Sequence, residues 1–216
     1  MIMDLSQDKE RPIFITSDSG IRLEALIAEN QKDKGVVIAH PHPLYGGNIY
    51  NNVVEAVALA YYTAGYTTVR FNFRGVGRST GAFDNGIGEA EDVKTVFRYL
   101  ESMGIKSIAL TGYSFGSWVV ASCLKDLQQA DHAVFISPPV AMIDFSFLKN
   151  EPKVKLVITG SYDDIAPSEV LKKIVPEWSS EAKLIVIDGA DHFYWGYSEQ
   201  IKEVITQFLS GVTYGS

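Results

Sequence analysis

Two stretches share the spacing Gly-x-Ser-x-Gly: Gly112-Tyr113-Ser114-Phe115-Gly116 and Gly77-Arg78-Ser79-Thr80-Gly81. The spacing suits a serine held on a turn too sharp for neighbouring Cβ atoms, with its hydroxyl projecting as a nucleophile. With 18 glycines in 216 residues, a chance match is expected in roughly one such chain in eight, so context must choose between the copies. The first copy follows the apolar run Ile108-Ala109-Leu110-Thr111 and leads into a helical pattern through Trp118, Val119, Val120 and Cys123. The second leads into Gly81 to Gly86, which reads as a loop. Ser114 is therefore the candidate nucleophile. Phe115 heads the helix, so its N–H is a candidate oxyanion donor.

A serine hydroxyl needs a base to take its proton. Of His40, His42, His132 and His192, the last lies in Gly189-Ala190-Asp191-His192-Phe193, just after the final candidate strand. A loop there can return an imidazole to the strand ends, whereas His132 opens a strand. The base in turn needs a carboxylate to orient it. Asp163 and Asp164 both follow the strand ending at Gly160. Asp164 is also well placed as a turn acid before the helix at Pro167, so Asp163 is preferred. The order Ser114, Asp163, His192 puts each member after its own strand, at one edge of a doubly wound sheet.

A second oxyanion donor is expected from the loop His40-Pro41-His42-Pro43-Leu44-Tyr45-Gly46-Gly47-Asn48. Pro41 and Pro43 have no N–H, which leaves His42 as first choice and Leu44 as runner-up. His40 and His42 have no Cys or carboxylate partner nearby, so no metal and no cofactor is expected, and their side chains are read as hydrogen-bonding within the loop. Tyr113 and Leu44 are expected to touch substrate. Arg74 and Arg78 could bind an acidic substrate group, but more often such arginines pair with local acids, here Asp84, Glu89 or Asp92.

The elements that must position these groups alternate between short apolar runs and helical patterns, the signature of an α/β fold with a largely parallel sheet. Candidate strands are Arg11 to Thr16, Arg22 to Ala28, Gly35 to Ala39, Thr67 to Phe73, Ser107 to Gly112, His132 to Ser137, Val154 to Gly160 and Lys183 to Asp188. The first two flank a turn cluster and read as an antiparallel hairpin. Helices are expected over Asn52 to Ala64, over Glu89 to Met103 with Glu89, Glu91 and Asp92 in its first turn, from Pro167 and Ser168 to an end near Pro176, and around Ile201 to Leu209. Nothing divides the chain, so one domain over 1–216 is expected.

Composition narrows the partners. Hydrophobic residues at 46% and charged residues at 21% exclude a disordered chain. Twenty-six acidic against 19 basic side chains give −7, the wrong sign for nucleic acid. The single cysteine, Cys123, forms no intrachain disulfide, which fits a reducing compartment. Met1 to Phe14 carry charges where a secretory leader is apolar, and no apolar window approaches roughly 18 residues. A cytoplasmic protein with no membrane partner is expected.

Taken together, the loop His40 to Gly47, the stretch Phe71-Asn72-Phe73-Arg74-Gly75-Val76-Gly77-Arg78-Ser79, the turn Gly112 to Gly116, Gly160 with Asp163 and Pro167, and Asp191-His192-Phe193 resemble the α/β-hydrolase superfamily. The resemblance covers roughly residues 20 to 210 and is nearest the small lid-less serine esterases related to dienelactone hydrolases. Dienelactone hydrolases proper have a cysteine where this chain has Ser114. The resemblance implies an α/β-hydrolase fold without a lid domain. Only Pro138 to Lys153 separate the sixth and seventh candidate strands, and their apolar residues read as a short packed helix or a flap on an acyl pocket. The expected activity is hydrolysis of a small carboxylic ester or thioester through an acyl-enzyme on Ser114, by a monomer or homodimer. The rival readings are a serine peptidase acting on short peptides and a non-catalytic binding protein of the same fold.

Overall fold

Val36-Val37-Ile38-Ala39 is buried throughout, with alternate side chains on opposite faces, as befits a strand covered on both sides. It belongs to β3 (Lys34–Ala39), near the middle of the sheet. The computed structural model describes residues 9–30 and 33–211. Residues 1–8 of the stretch read for a leader, and the ends of the expected 1–216 domain, lie outside the described residues. The other elements are β1 (Arg11–Thr16), β2 (Arg22–Ala28), α1 (Asn52–Thr63), β4 (Thr67–Phe71), α2 (Ile87–Ser102), β5 (Ser107–Tyr113), α3 (Phe115–Cys123), β6 (Ala130–Ile136), β7 (Val154–Gly160), α4 (Ser168–Trp178), β8 (Lys183–Ile187) and α5 (Ser198–Ser210).

The eight strands run in the order β1-β2-β4-β3-β5-β6-β7-β8. From β4 to β8 every pair is parallel, and the β1–β2 hairpin joins antiparallel to β4. This is the mostly parallel sheet with an N-terminal hairpin that the pattern implies. Helices α2, α3 and α4 cover one face, while α1 and α5 cover the other. The chain steps from β3 to β4 and then crosses back over β3 to β5. The loops leaving β3 and β5 therefore diverge and open a crevice at the carboxyl ends of the strands. No helix among the described residues is long and apolar enough to cross a membrane.

Four local readings need correction. Pro176 does not end α4, which runs on to Trp178. Trp178 is buried against Phe135 and Phe145, and this packing holds the last turn despite the missing N–H. Helix α2 starts at Ile87, because the Glu89 carboxylate accepts the N–H groups of Asp84 and Gly86. Glu91 and Asp92 thus fall in its second turn, and Glu89 alone stays in the first. Strand β4 stops at Phe71, and the Phe73 N–H turns to His40 Nε2. His132 lies inside β6, not at its start, and is buried against the Tyr61 hydroxyl at 3.1 Å. Between β6 and β7 a single 3-10 turn, Ser146–Leu148, sends Phe145 and Leu148 into the core, so there is no lid.

One buried charge ties the β3 loop to the sheet. Arg70 on β4 pairs with Glu10 at 2.5 Å, both side chains 4% exposed, and also donates to Glu55 and to the Ile49 carbonyl. Burial alone would lower the guanidinium's proton affinity, but its carboxylate partners raise it, so it stays charged. Removing one partner strands that charge. Glu10→Ala is expected to cost about 3 kcal/mol in urea unfolding, and Glu10→Gln less.

Candidate active site

The site is built on one strained residue. Ser114 joins β5 directly to α3 at φ 52° and ψ −122°, a conformation that costs a non-glycine residue about 1–3 kcal/mol. A Cβ on Gly112 would stand 2.4 Å from the Gly116 carbonyl oxygen, and a Cβ on Gly116 would stand 2.5 Å from the carbonyl oxygens of Ala39 and His40. Both glycines are therefore required by close backbone approach. The Ser114 N–H donates to the Ile136 carbonyl at 2.8 Å, and its own carbonyl accepts from the Ser117 N–H and hydroxyl. The turn is held from both sides.

Loops leaving β7 and β8 bring Asp163 and His192 to this turn. Ser114 Oγ lies 2.9 Å from His192 Nε2, and His192 Nδ1 lies 2.9 Å from each Asp163 oxygen. Burial alone would push the Asp163 carboxyl up. Hydrogen bonds from His192, the attraction of the imidazolium, and further donors from Ser137 and the Ala166 N–H outweigh that and hold it below its ordinary value. Its Oδ1 also accepts the N–H groups of Ile165 and Ala166 at 2.9 and 2.8 Å. Asp164 is exposed and takes no part. The His192 loop is fixed by the Tyr113 hydroxyl, which donates to the His192 carbonyl at 2.6 Å, and by Asp191, which accepts the N–H groups of Phe193 and Tyr194.

Two amides on neighbouring segments, whose side-chain rings lie 4.7 Å apart, are left without an acceptor among the described residues. The Phe115 N–H is the first of α3 and has no intrahelical acceptor. The His42 N–H has no acceptor among the described residues. The Leu44 N–H is spent on His42 Nδ1 at 3.2 Å, so of the two alternatives left open, His42 keeps the available donor. The His42 ring packs between Tyr45, Phe83 and Phe115. Leu44 itself is exposed at the rim. Tyr113 is not a pocket wall: its ring is 4% exposed and its hydroxyl is committed to the His192 loop.

The remaining polar groups brace the loops. His40 is fully buried. Its Nδ1 lies 2.6 Å from the Pro41 carbonyl, and its Nε2 accepts the Phe73 N–H. Desolvation pushes it down to about 4, so it stays neutral and ties the β3 loop to the β4 loop. Arg74 forms a forked pair with the buried Asp92, 2.7 Å at the shortest contact. Arg78 pairs with none of the three expected acids. It is exposed, with its guanidinium over the Phe14 ring and its N–H on Glu24. Ser79, the serine of the second Gly-x-Ser-x-Gly copy, donates to the Asn72 carbonyl and accepts from the Glu24 N–H, a structural task. Burial pushes the Cys123 thiol up to about 12, which leaves it unreactive inside α3.

Comparison with known proteins fits this geometry. No protein-family model matches the chain. An uncharacterised protein of Rickettsia prowazekii is 37% identical over 183 residues, 80% of this chain and 77% of that protein. The solved structure of an α/β serine hydrolase homologue from Coxiella burnetii is 34% identical with a TM-score of 0.85, covering 94% of this chain and 99% of that one. The chain belongs to the α/β-hydrolase family. A lid-less α/β serine hydrolase from Xanthomonas campestris, 24% identical, shares the fold with a TM-score of 0.83 over 97% of this chain and 98% of that one. With only the turn Ser146–Leu148 between β6 and β7, this α/β hydrolase is of the lid-less kind.

Sequence reasoning did not anticipate that the buried hydroxyls of Ser137 and Tyr194 meet 2.6 Å apart. Ser-Pro-Pro at a strand end carries no chemical signature, and Tyr194 reads as one aromatic among several in its loop. In this hydrolase the close approach at Gly116 makes a direct prediction. Gly116→Ala is expected to destabilise the fold by about 3 kcal/mol or more, read as a lowered urea midpoint, because backbone carbonyls cannot move aside for the added methyl.

Proposed function

We propose that this hydrolase cleaves a carboxylic ester or thioester of a small molecule through an acyl-enzyme on Ser114. One observation carries the reading: the Ser114 hydroxyl, both His192 nitrogens and the Asp163 carboxylate stand in one chain of 2.9 Å contacts. The imidazole then carries its proton on Nδ1, donated to Asp163, and its bare Nε2 accepts the Ser114 hydroxyl. In the first half-reaction Ser114 Oγ attacks the carbonyl carbon while Nε2 takes the hydroxyl proton. The oxyanion receives hydrogen bonds from the Phe115 and His42 amides, each worth about 3 kcal/mol in the transition state. The bond to the leaving group breaks as Nε2 returns the proton to the departing alcohol or thiol. Water, deprotonated by the same nitrogen, then attacks the acyl-enzyme, releases the acid and restores the serine.

Within that class the rim favours an uncharged ester. Exposed apolar side chains stand on two of the rim loops, Leu44 and Tyr45 after β3 and Phe193 and Trp195 after β8. On the β4 loop Arg74 is committed to Asp92, while Arg78 is exposed with its guanidinium over the Phe14 ring. An alkyl or aryl ester finds apolar contact on the β3 and β8 loops. The steps use only side chains, backbone amides and water, and a small-molecule substrate is the one partner they require.

A fluorophosphonate probe and p-nitrophenyl esters of rising length test the reading. Wild type is expected to label once, at Ser114, and to hydrolyse short esters. Ser114→Ala is expected to lose labelling and roughly 10⁶-fold in kcat. Failure of wild type to label, or equal labelling of Ser114→Ala, would overturn it. Cleavage of matched amides as fast as esters would favour the peptidase reading.

A further inference from the structure

The residues on either side of His192 bury little. Asp191 is exposed and Phe193 is 56% exposed, so packing anchors this loop at the fully buried Ala190 and Tyr194. Asp191 accepts the Phe193 and Tyr194 N–H groups, which shapes the loop without tying it to the rest of the molecule. Between the two anchors, the backbone carbonyls are held from outside. The Tyr113 hydroxyl donates to the His192 carbonyl at 2.6 Å. The Asn52 side-chain amide donates to the Phe193 carbonyl at 3.1 Å, with the Tyr194 carbonyl and the Ser198 hydroxyl each at 3.4 Å.

Each donor stands on an element that already carries part of the site. Tyr113 is the last residue of β5, directly before Ser114. With the Ser114–His192 contact it closes a ring: the backbone joins Tyr113 to Ser114, Oγ meets Nε2 at 2.9 Å, and the His192 carbonyl returns to the Tyr113 hydroxyl. Asn52 opens α1, beyond the loop that carries His42. This platform is itself fixed. The Asn51 side chain caps α1 by accepting the Val53 and Val54 N–H groups, and the Ile49 N–H donates to the Asn72 side chain at 3.0 Å. A carbonyl only accepts, so the direction of both bonds is set. We propose that Tyr113 and Asn52 are positioning residues, a two-sided backbone clamp that sets the His192 imidazole against Ser114. The proposal rests on the ester-hydrolase reading for its catalytic consequence, but not for its geometry.

The clamp acts on distance. Losing one donor frees a carbonyl and lets residues 191–193 move, so the contact between Nε2 and Oγ is populated less. A displacement of about 1 Å at a reacting pair costs as much as roughly 100-fold in rate. Tyr113→Phe keeps the ring and removes the bond at His192 itself, and is expected to lower kcat about thirtyfold. Asn52→Leu removes a bond one residue further on, and is expected to lower kcat about fivefold. The loss falls on alignment for reaction, so KM is expected to stay within about twofold in both. His192→Ala leaves a residual rate that comes from the oxyanion donors and binding. In that background neither substitution is expected to lower the rate further, because both act through the imidazole.

The test measures p-nitrophenyl ester hydrolysis by Tyr113→Phe and Asn52→Leu, each with and without His192→Ala. It also follows the low-field Nδ1 proton resonance of His192 in the free protein and in each single variant. That resonance is expected to be sharp in the wild type, where Nδ1 lies 2.9 Å from both Asp163 oxygens, and broadened by exchange with water in each variant. A urea midpoint for every variant separates loss of fold from loss of alignment. Wild-type kcat, or a sharp resonance, in either variant would overturn the proposal. So would a loss of kcat that persists in full without His192, which would put the damage at the Ser114 turn or the oxyanion donors. The resonance needs no substrate. Broadening in both variants of a protein that hydrolyses no ester would support the clamp and count against the ester reading instead.

Discussion

The backbone at Ser114 cannot turn from β5 into α3 unless two neighbouring positions lack a Cβ. Gly112 lets the incoming strand pass under the first turn of α3, and Gly116 lets α3 rest on the carbonyls of Ala39 and His40. That approach is what brings the end of β3 against the start of α3. It places the His42 loop beside the Phe115 amide, points the Ser114 side chain at His192, and fixes where every other loop of the site must arrive. The strain it stores is small beside the packing of α3 on the sheet, where Val119, Val120 and Cys123 are buried.

Around that turn the protein removes several polar groups from water and satisfies each by a different device. Asp163 stays ionised because donors surround it. Arg74 and Asp92 neutralise each other across a fork and hold the β4 loop to α2. His40 takes the opposite course and stays neutral, so that both ring nitrogens serve the backbone. These braces touch the loops, and the Phe115 and His42 amides are left without an acceptor among the described residues, as the proposed oxyanion donors must be.

The sequence alone carried most of the architecture, because strands buried on both faces must read as apolar runs and helices packed on one side must repeat at three and four. It also singled out Ser114, Asp163 and His192, since a strand-to-helix turn and two strand ends leave few places for them. It could not separate Leu44 from His42, because that depends on which N–H the His42 imidazole accepts. Tyr113 was misread because the fate of its hydroxyl is set by the His192 loop, 79 residues away in the chain. Pro176 was misread as a stop because the packing of Trp178 across the sheet is invisible to local rules. Ser137 and Tyr194 were missed altogether: their pairing exists only once β6 and the β8 loop are side by side.

The central claim is that the Ser114 hydroxyl is the atom that takes up an acyl group. Rapid-quench mass spectrometry during turnover of a slowly deacylated p-nitrophenyl ester tests it without an inhibitor. The account predicts a transient mass gain of one acyl group, located on the peptide that carries Ser114, appearing with the first equivalent of p-nitrophenol and decaying as substrate is exhausted. Steady hydrolysis with no covalent adduct at any time, sustained when Ser114 is replaced by alanine, would contradict it.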